Sequence, residues 1–244
     1  MKKILSGMLA AGLVASSGAV QAAEDAWSLE VTPYAWLCGI DADVTVGNKK
    51  GEVDVGFEDI IDYVDVAGGL LVIGELNRLQ VWGQIDYMSL SSDQDVTKFD
   101  ELGTLDSDTL ILEAGVGYEF DNPLAEGAKI DLLGGVRYTS LENSFDPKGA
   151  GPTVESDRDL VDPIVIVRPW FPITEKLTFN PTMGVGGGGD SDLIYELQPQ
   201  FQYQFTDTMA GRIGYRRLFY ETEGDSAKFD GSFQGVIAGL GITL

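Results

Sequence analysis

Five Asp-x-Asp pairs stand in this chain, at Asp41/Asp43, Asp93/Asp95, Asp106/Asp108, Asp157/Asp159 and Asp190/Asp192. In an extended segment the two carboxylates of such a pair share a face, and paired oxygen ligands suit a hard divalent cation. No complete calcium-loop motif accompanies them, so solvated acidic surface is the simpler expectation. Asp93, Asp95, Asp106, Asp108, Asp190 and Asp192 remain as metal candidates. The sequence has no histidine. Nucleophile–base pairs that depend on a group titrating near neutral pH therefore lack their usual base, and catalysis would have to rest on carboxylates alone. Cys38 is the single cysteine and has no internal disulfide partner. The glycine run at 186–189 lacks the Lys-Ser/Thr and the helix of a phosphate loop and reads as a turn.

The elements that would position these groups are visible in the stretch LIYELQPQFQYQF at 193–205. Leu193, Tyr195, Leu197, Pro199, Phe201, Tyr203 and Phe205 share one face of a strand, and Glu196, Gln198, Gln200, Gln202 and Gln204 share the other. Such a segment fits a soluble sheet over a core or a membrane barrel with an apolar outside and a polar lumen. Comparable segments lie at about 27–40, 66–76, 80–91, 109–120, 129–141, 160–172, 177–187, 209–221 and 232–244. Each is long enough to cross a bilayer as a tilted strand. The polar face also carries glycines, among them Gly115, Gly117, Gly135, Gly239 and Gly241, which suits a crowded narrow barrel. On the same face this register places Glu30, Glu75, Asp86, Glu113, Asp131, Arg137, Asp162, Arg168, Glu196, Arg212 and Arg216. A charge network of Arg137, Arg168, Arg212 and Arg216 with Glu113, Asp131 and Glu196 is expected to fill the lumen. A narrow path favouring cations is the alternative.

Lys2 and Lys3 precede an apolar run from Ile4 to Val20 that ends in Val20-Gln21-Ala22, the pattern of a cleaved signal peptide at 1–22. The remaining 23–244 reads as one domain. The formal charge of the chain is −23, a balance that repels nucleic acid. No cofactor motif is present.

The links between segments alternate in length. Those at 77–79, 173–176 and 206–208 are short, while 41–65, 92–108, 142–159 and 222–231 are long, as periplasmic turns and extracellular loops would be. Aromatic residues gather near segment ends: Trp27, Phe120, Phe171, Phe179 and Phe205 at one rim, Tyr138, Tyr195 and Phe219 at the other. The long first link could hold an extra hairpin. After it, Phe57, Ile60, Ile61 and Val64 have the spacing of a short helix, with an irregular loop as the alternative. Pro33, Pro163, Pro169, Pro181 and Pro199 fall inside proposed strands and are expected at bulges or outside the spanning part.

The TPYAWL segment at 32–37, the YQF stretch before a short turn, GYRRLFY at 214–220 and the amphipathic last strand resemble proteobacterial outer-membrane β-barrel proteins of the small porin-like, OmpA-like class. Such chains often end in Phe, whereas this one ends in Leu244. The resemblance implies an integral barrel of the cell outer membrane in a Gram-negative bacterium. Its partners would be outer-membrane lipid, lipopolysaccharide and the barrel-assembly machinery, with divalent cations at the outer loops. Outer-membrane phospholipases, lipid A deacylases, palmitoyltransferases and omptin-type proteases are similar in architecture, and as families they use a histidine that this chain lacks. The expectation is an all-β, closed antiparallel up-and-down transmembrane barrel of about ten strands, within a range of eight to twelve. It would have a structural or surface-interaction role and no catalysis. A cation-preferring porin and a soluble periplasmic lipocalin-like barrel are the alternatives.

Overall fold

The computed structural model describes residues 27–46, 49–55, 64–91, 103–121, 127–147, 153–223 and 227–244. The expected leader at 1–22 and the helical turn expected around Phe57, Ile60 and Ile61 lie outside them. Thirteen strand segments run along the chain: β1 (Trp27–Val46), β2 (Lys49–Val55), β3 (Val64–Leu76), β4 (Leu79–Ser91), β5 (Gly103–Asp121), β6 (Lys129–Pro147), β7 (Val154–Pro172), β8 (Leu177–Phe179), β9 (Thr182–Gly186), β10 (Leu193–Gln198), β11 (Gln200–Thr206), β12 (Met209–Glu223) and β13 (Ala227–Thr243). Pairing is antiparallel throughout. β8 with β9, and β10 with β11, are the halves of two interrupted barrel strands, so ten strands close into a ring when β13 pairs with β1.

The hydrogen-bonded register fixes the stagger of that ring. Starting at Glu30 and crossing one strand at a time, the partners are Ile73, Trp82, Gly115, Gly135, Ile164, Gly186, Ile194, Tyr220 and Gly231. Gly231 then pairs with Ala42, twelve residues further along β1 than the start. Ten strands with that stagger tilt by roughly 40° from the barrel axis, within the usual range for closed barrels.

β2 pairs only with β1 and stays outside the ring, so the extra hairpin adds no spanning strand. The expected long links are shorter than the sequence indicated. Strand pairing continues through residues 103–108, 142–147, 154–159 and 227–231. At 106–108, 142–144 and 155–159 both faces meet water beyond the apolar band, and no hydrophobic alternation is needed, so the pattern that reveals a spanning strand cannot find these extensions.

The prolines behave differently from the expected bulges. Pro181 and Pro199 sit in the breaks between β8 and β9 and between β10 and β11. By the register of the flanking pairs, Pro169, Pro181 and Pro199 face one another across three adjacent strands. None has an N–H to donate, so the pairing of β8–β9 with β7 and with β10–β11 is interrupted at this row, while on its other side Pro169 stays opposite Ile130 in the unbroken β6–β7 ladder. Asn180 repairs the break from the inside: its Nδ2 donates to the Pro169 carbonyl (3.0 Å), and its Oδ1 accepts from Gln200 Nε2 (3.0 Å). Pro33 and Pro163 remain within continuous strands.

The outward face is apolar, with Val81, Val116, Val136 and Ile213 between 50% and 64% exposed. Aromatic rows bound this band. On the short-turn side Tyr118 meets Phe120 with ring centroids 4.8 Å apart, and Phe179 lies between Phe171 (6.4 Å) and Phe201 (5.1 Å). On the long-link side Tyr195 stacks on Phe219 at 4.7 Å. There the hydroxyls of Tyr87 and Tyr138 donate to Asp108 (2.9 Å) and Asp159 (2.7 Å).

Candidate functional site

Alternation sends every second residue into a lumen too narrow for bulk water, so inward charges must find partners. Arg137 of β6 and Arg216 of β12 are both buried at the centre. Arg137 Nε donates to Glu113 Oε1 at 2.9 Å, and its Nη2 pairs with Glu113 (2.8 Å) and with Glu196. Arg216 donates from Nε to Glu196 (2.9 Å), from Nη1 to Asp86 (2.9 Å) and from Nη2 to Glu113 (3.4 Å). Its Cζ also lies 4.5 Å from the centre of the Trp36 ring, a cation–π contact. Tyr34 OH donates to Asp86 Oδ1 at 2.5 Å, and Gln84 Nε2 donates to Asp86 Oδ2 at 3.1 Å. Five charged side chains from five different strands thus form one cross-braced layer.

The next inward residue on each strand, two positions towards the long links, is apolar or weakly polar: Cys38 after Trp36, Met88 after Asp86, Ile111 before Glu113, Thr139 after Arg137, Ile194 before Glu196 and Leu218 after Arg216. With Leu160, Tyr220, Phe233 and Ile237 most of these form a buried apolar cluster above the ion pairs. Thr139 and Tyr220 hydrogen-bond one another within it (2.9 Å). Still further out, Arg158 Nη1 donates to Thr222 Oγ1 (2.8 Å), linking β7 to β12 across the short strands between them. A second apolar cluster of Ile73, Trp82, Leu133, Ile164 and Ile166 packs beside the layer. It depends on glycine. A Cβ on Gly115 would lie 2.8 Å from Trp82 Nε1 and 2.8 Å from Gly135 Cα, so the indole fits only because that wall is bare.

Towards the short turns the lumen is polar. A small cavity there is lined by Thr32, Tyr34, Gln84, Gln198, Gln200 and Arg212. Arg212 joins a separate group, with Nη2 2.7 Å from Glu30 and Nε donating to Gln202 at 2.9 Å. Asp131 accepts from Gln80 (3.1 Å) and from Trp170 Nε1 (2.7 Å). Asp131 stands directly across from Arg168 in the register, but among the described residues Arg168 Nε donates to Thr182 (3.4 Å) and its Nη1 has no partner. The seven residues of the expected network therefore divide. Arg137, Arg216, Glu113 and Glu196 meet, while Arg212, Arg168 and Asp131 lie apart from them.

Asp86, Glu30, Tyr34 and Trp36 were not among the expected network members. Asp86 and Glu30 were legible as inward charges, but only the register makes them the partners of Arg216 and Arg212. Asp162 also turns inward, where Oδ1 accepts from the N–H of Gly189 (3.2 Å) and of Ser191 (2.9 Å). It braces the 187–192 turn, in which Gly187 and Gly188 take positive φ (124° and 79°), as the sequence expectation of a turn requires.

Of the metal candidates, Asp93 and Asp95 lie outside the described residues. Asp108 accepts from Tyr87 and Asp190 from the Val161 N–H (2.8 Å). Asp106 belongs to β5, and Asp192 donates its N–H to the Glu221 carbonyl at 2.9 Å. Among the described residues no three acidic, cysteine or histidine side chains converge in a metal-binding arrangement.

No protein-family model matches the sequence, and neither does any curated protein at a significant level. Among solved structures, the outer membrane protease OmpT of Escherichia coli superposes with a TM-score of 0.63 at 8% identity, over 93% of this chain and 99% of that one. A major outer membrane protein of Thermus thermophilus gives 0.44 at 12% identity, over 90% and 100%. Ail, the attachment invasion locus protein of Yersinia pestis, gives 0.40 at 12% identity, over 90% and 99%. At such identities the likeness to OmpT is one of fold.

Proposed function

We propose that the chain is an integral outer-membrane barrel whose lumen is sealed, with a structural or surface-interaction role and no catalysis. The observation that carries this reading is the buried layer of Arg137, Arg216, Glu113, Glu196 and Asp86, capped by an apolar cluster on its long-link side. An ion entering from the short-turn side meets five charges already satisfied by one another, and beyond them a stretch with no hydration to offer. The apolar band between two aromatic rows supports the membrane setting, and the OmpT-like fold supports the outer membrane in particular. The long-link end faces the cell exterior in this account.

OmpT is a protease, but its activity does not transfer with the fold, and a chain without histidine lacks the usual general base at neutral pH. The cation-preferring channel is the second reading, favoured by the small cavity below the layer, where Gln84, Gln198 and Gln200 stand beside Leu71 and Ile237. Cell fractionation tests the first. The protein should pellet with the outer membrane, resist carbonate and high salt, and require detergent for release. A monodisperse protein in detergent-free buffer would return the soluble lipocalin-like barrel.

A further inference from the structure

The cavity beneath the charged layer collects acceptors. Gln84 on β4 and Gln198 on β10 line it from opposite walls of the ring, and Tyr34 lines it from β1. The orientation of each amide is set by a group that can only accept. Gln84 Nε2 donates to the Asp86 carboxylate at 3.1 Å, which leaves its Oε1 without a donor among the described residues. Gln198 ends a relay. The Pro169 carbonyl accepts from Asn180, Asn180 Oδ1 accepts from Gln200, and Gln200 Oε1 accepts from Gln198 Nε2 at 3.0 Å. Because the first acceptor is a carbonyl, no amide in the relay can be reversed, and Gln198 Oε1 is likewise left without a donor among the described residues. Tyr34 spends its hydroxyl proton on Asp86, so it offers the cavity a lone pair. Leu71 and Ile237 add no donor, and Arg212, the cation in the lining, is engaged by Glu30 and Gln202.

Acceptors alone could be met by water, and charge decides for a cation. The layer above the cavity holds three carboxylates, Asp86, Glu113 and Glu196, against two guanidiniums, Arg137 and Arg216. All three carboxylates are hydrogen-bonded, yet one negative charge is left over. Nothing below cancels it: Arg212 is paired with Glu30, Lys129 is paired with Glu119, and Arg168 stands across from Asp131, which leaves Glu75 as a further acid. A buried excess charge calls for a counter-charge close by. Neutral oxygens beside a single carboxylate suit a monovalent ion, whereas a hard divalent ion takes several carboxylates into its shell. Resting on the sealed-lumen reading above, we propose that this cavity is a binding site for a small monovalent cation, taken up from the short-turn side and held beneath Asp86 by Gln84 Oε1, Gln198 Oε1 and the Tyr34 hydroxyl oxygen.

The test is thermal unfolding of the full-length protein in detergent micelles, followed by tryptophan fluorescence. N-methylglucamine chloride is replaced stepwise by sodium or potassium chloride at constant ionic strength, so that only the cation able to enter the cavity changes. The wild-type Tm should rise with sodium or potassium and saturate. Gln198→Leu should raise the half-saturating concentration about tenfold, the loss expected for one ligand oxygen. Asp86→Asn brings the layer to two carboxylates against two guanidiniums and should abolish the response; Gln198→Leu carries the comparison alone if Asp86→Asn does not fold. Gln204→Leu is the control, because Gln204 lies nearer the turns and donates to the Thr206 carbonyl at 2.6 Å. It should respond as the wild type does. A wild type that melts alike in all three salts, or cavity variants that respond as the wild type does, would overturn the site. Planar-bilayer conductance reports the seal separately: a steady cation current through the wild type overturns the sealed lumen, whereas an unresponsive Tm in a barrel that does not conduct overturns the cation site alone.

Discussion

Replacing Arg216 by alanine removes the one side chain that touches all three central carboxylates. Arg216 is fully buried, contacts Glu196 and Asp86 at 2.9 Å and Glu113 at 3.4 Å, and covers the Trp36 ring. Its loss leaves three carboxylates facing Arg137 alone. Stranding a single buried charge typically costs about 3 to 5 kcal/mol. Because Asp86 loses its only cation among the described residues, while Glu113 and Glu196 keep Arg137, the expected loss lies within that range and does not triple it. Urea unfolding in phosphatidylcholine vesicles, followed by tryptophan fluorescence, measures the change. Adding Asp86→Asn should restore part of the loss, since contacting residues are coupled by roughly 0.5 to 3 kcal/mol. Arg216→Ala within about 1 kcal/mol of wild type, with no rescue by Asp86→Asn, would show that the layer does not hold the barrel as described.

Arg212→Ala should be milder than Arg216→Ala in the same titration, because its partner Glu30 is partly exposed and can regain water. Asn180→Ala should cost about 1 to 3 kcal/mol, since it leaves the Pro169 carbonyl and the Gln200 amide unsatisfied; a neutral result would mean that the aligned prolines need no repair. On the lipid face, Val116→Arg should cost roughly 2 to 4 kcal/mol near mid-band. Leu112→Arg, opposite Tyr138 of the aromatic row, should cost about 1 kcal/mol or less, and a reversed order would shift the band. Epitope tags inserted at 92–102 and at 148–152 should label on intact cells, and labelling only after permeabilisation would invert the topology.

The ten-stranded ring was legible because lipid and lumen make opposite demands on alternate residues, and segments such as Leu193–Gln198 record both. The same alternation put Arg137, Arg216, Glu113 and Glu196 on one face of their strands. It could not say which acid meets which arginine. That depends on register around the whole ring, a long-range property with no local signal, and it is why Asp86 and Glu30 became partners while Asp131 did not. Register also aligns Pro169, Pro181 and Pro199, which read as three separate anomalies along the chain. The strand extensions beyond the band were hidden for a different reason: in water the outward face of paired strands can carry acids, as Asp106, Asp108, Glu142 and Asp157 do, where a spanning strand would carry apolar residues.

The sealed lumen is tested most directly by planar-bilayer recording of the purified wild type beside Arg216→Ala. The wild type should show no steady conductance, and the variant either cation-selective openings or failure to insert. A large, steady wild-type conductance that Arg216→Ala leaves unchanged would contradict the seal and make the chain a channel.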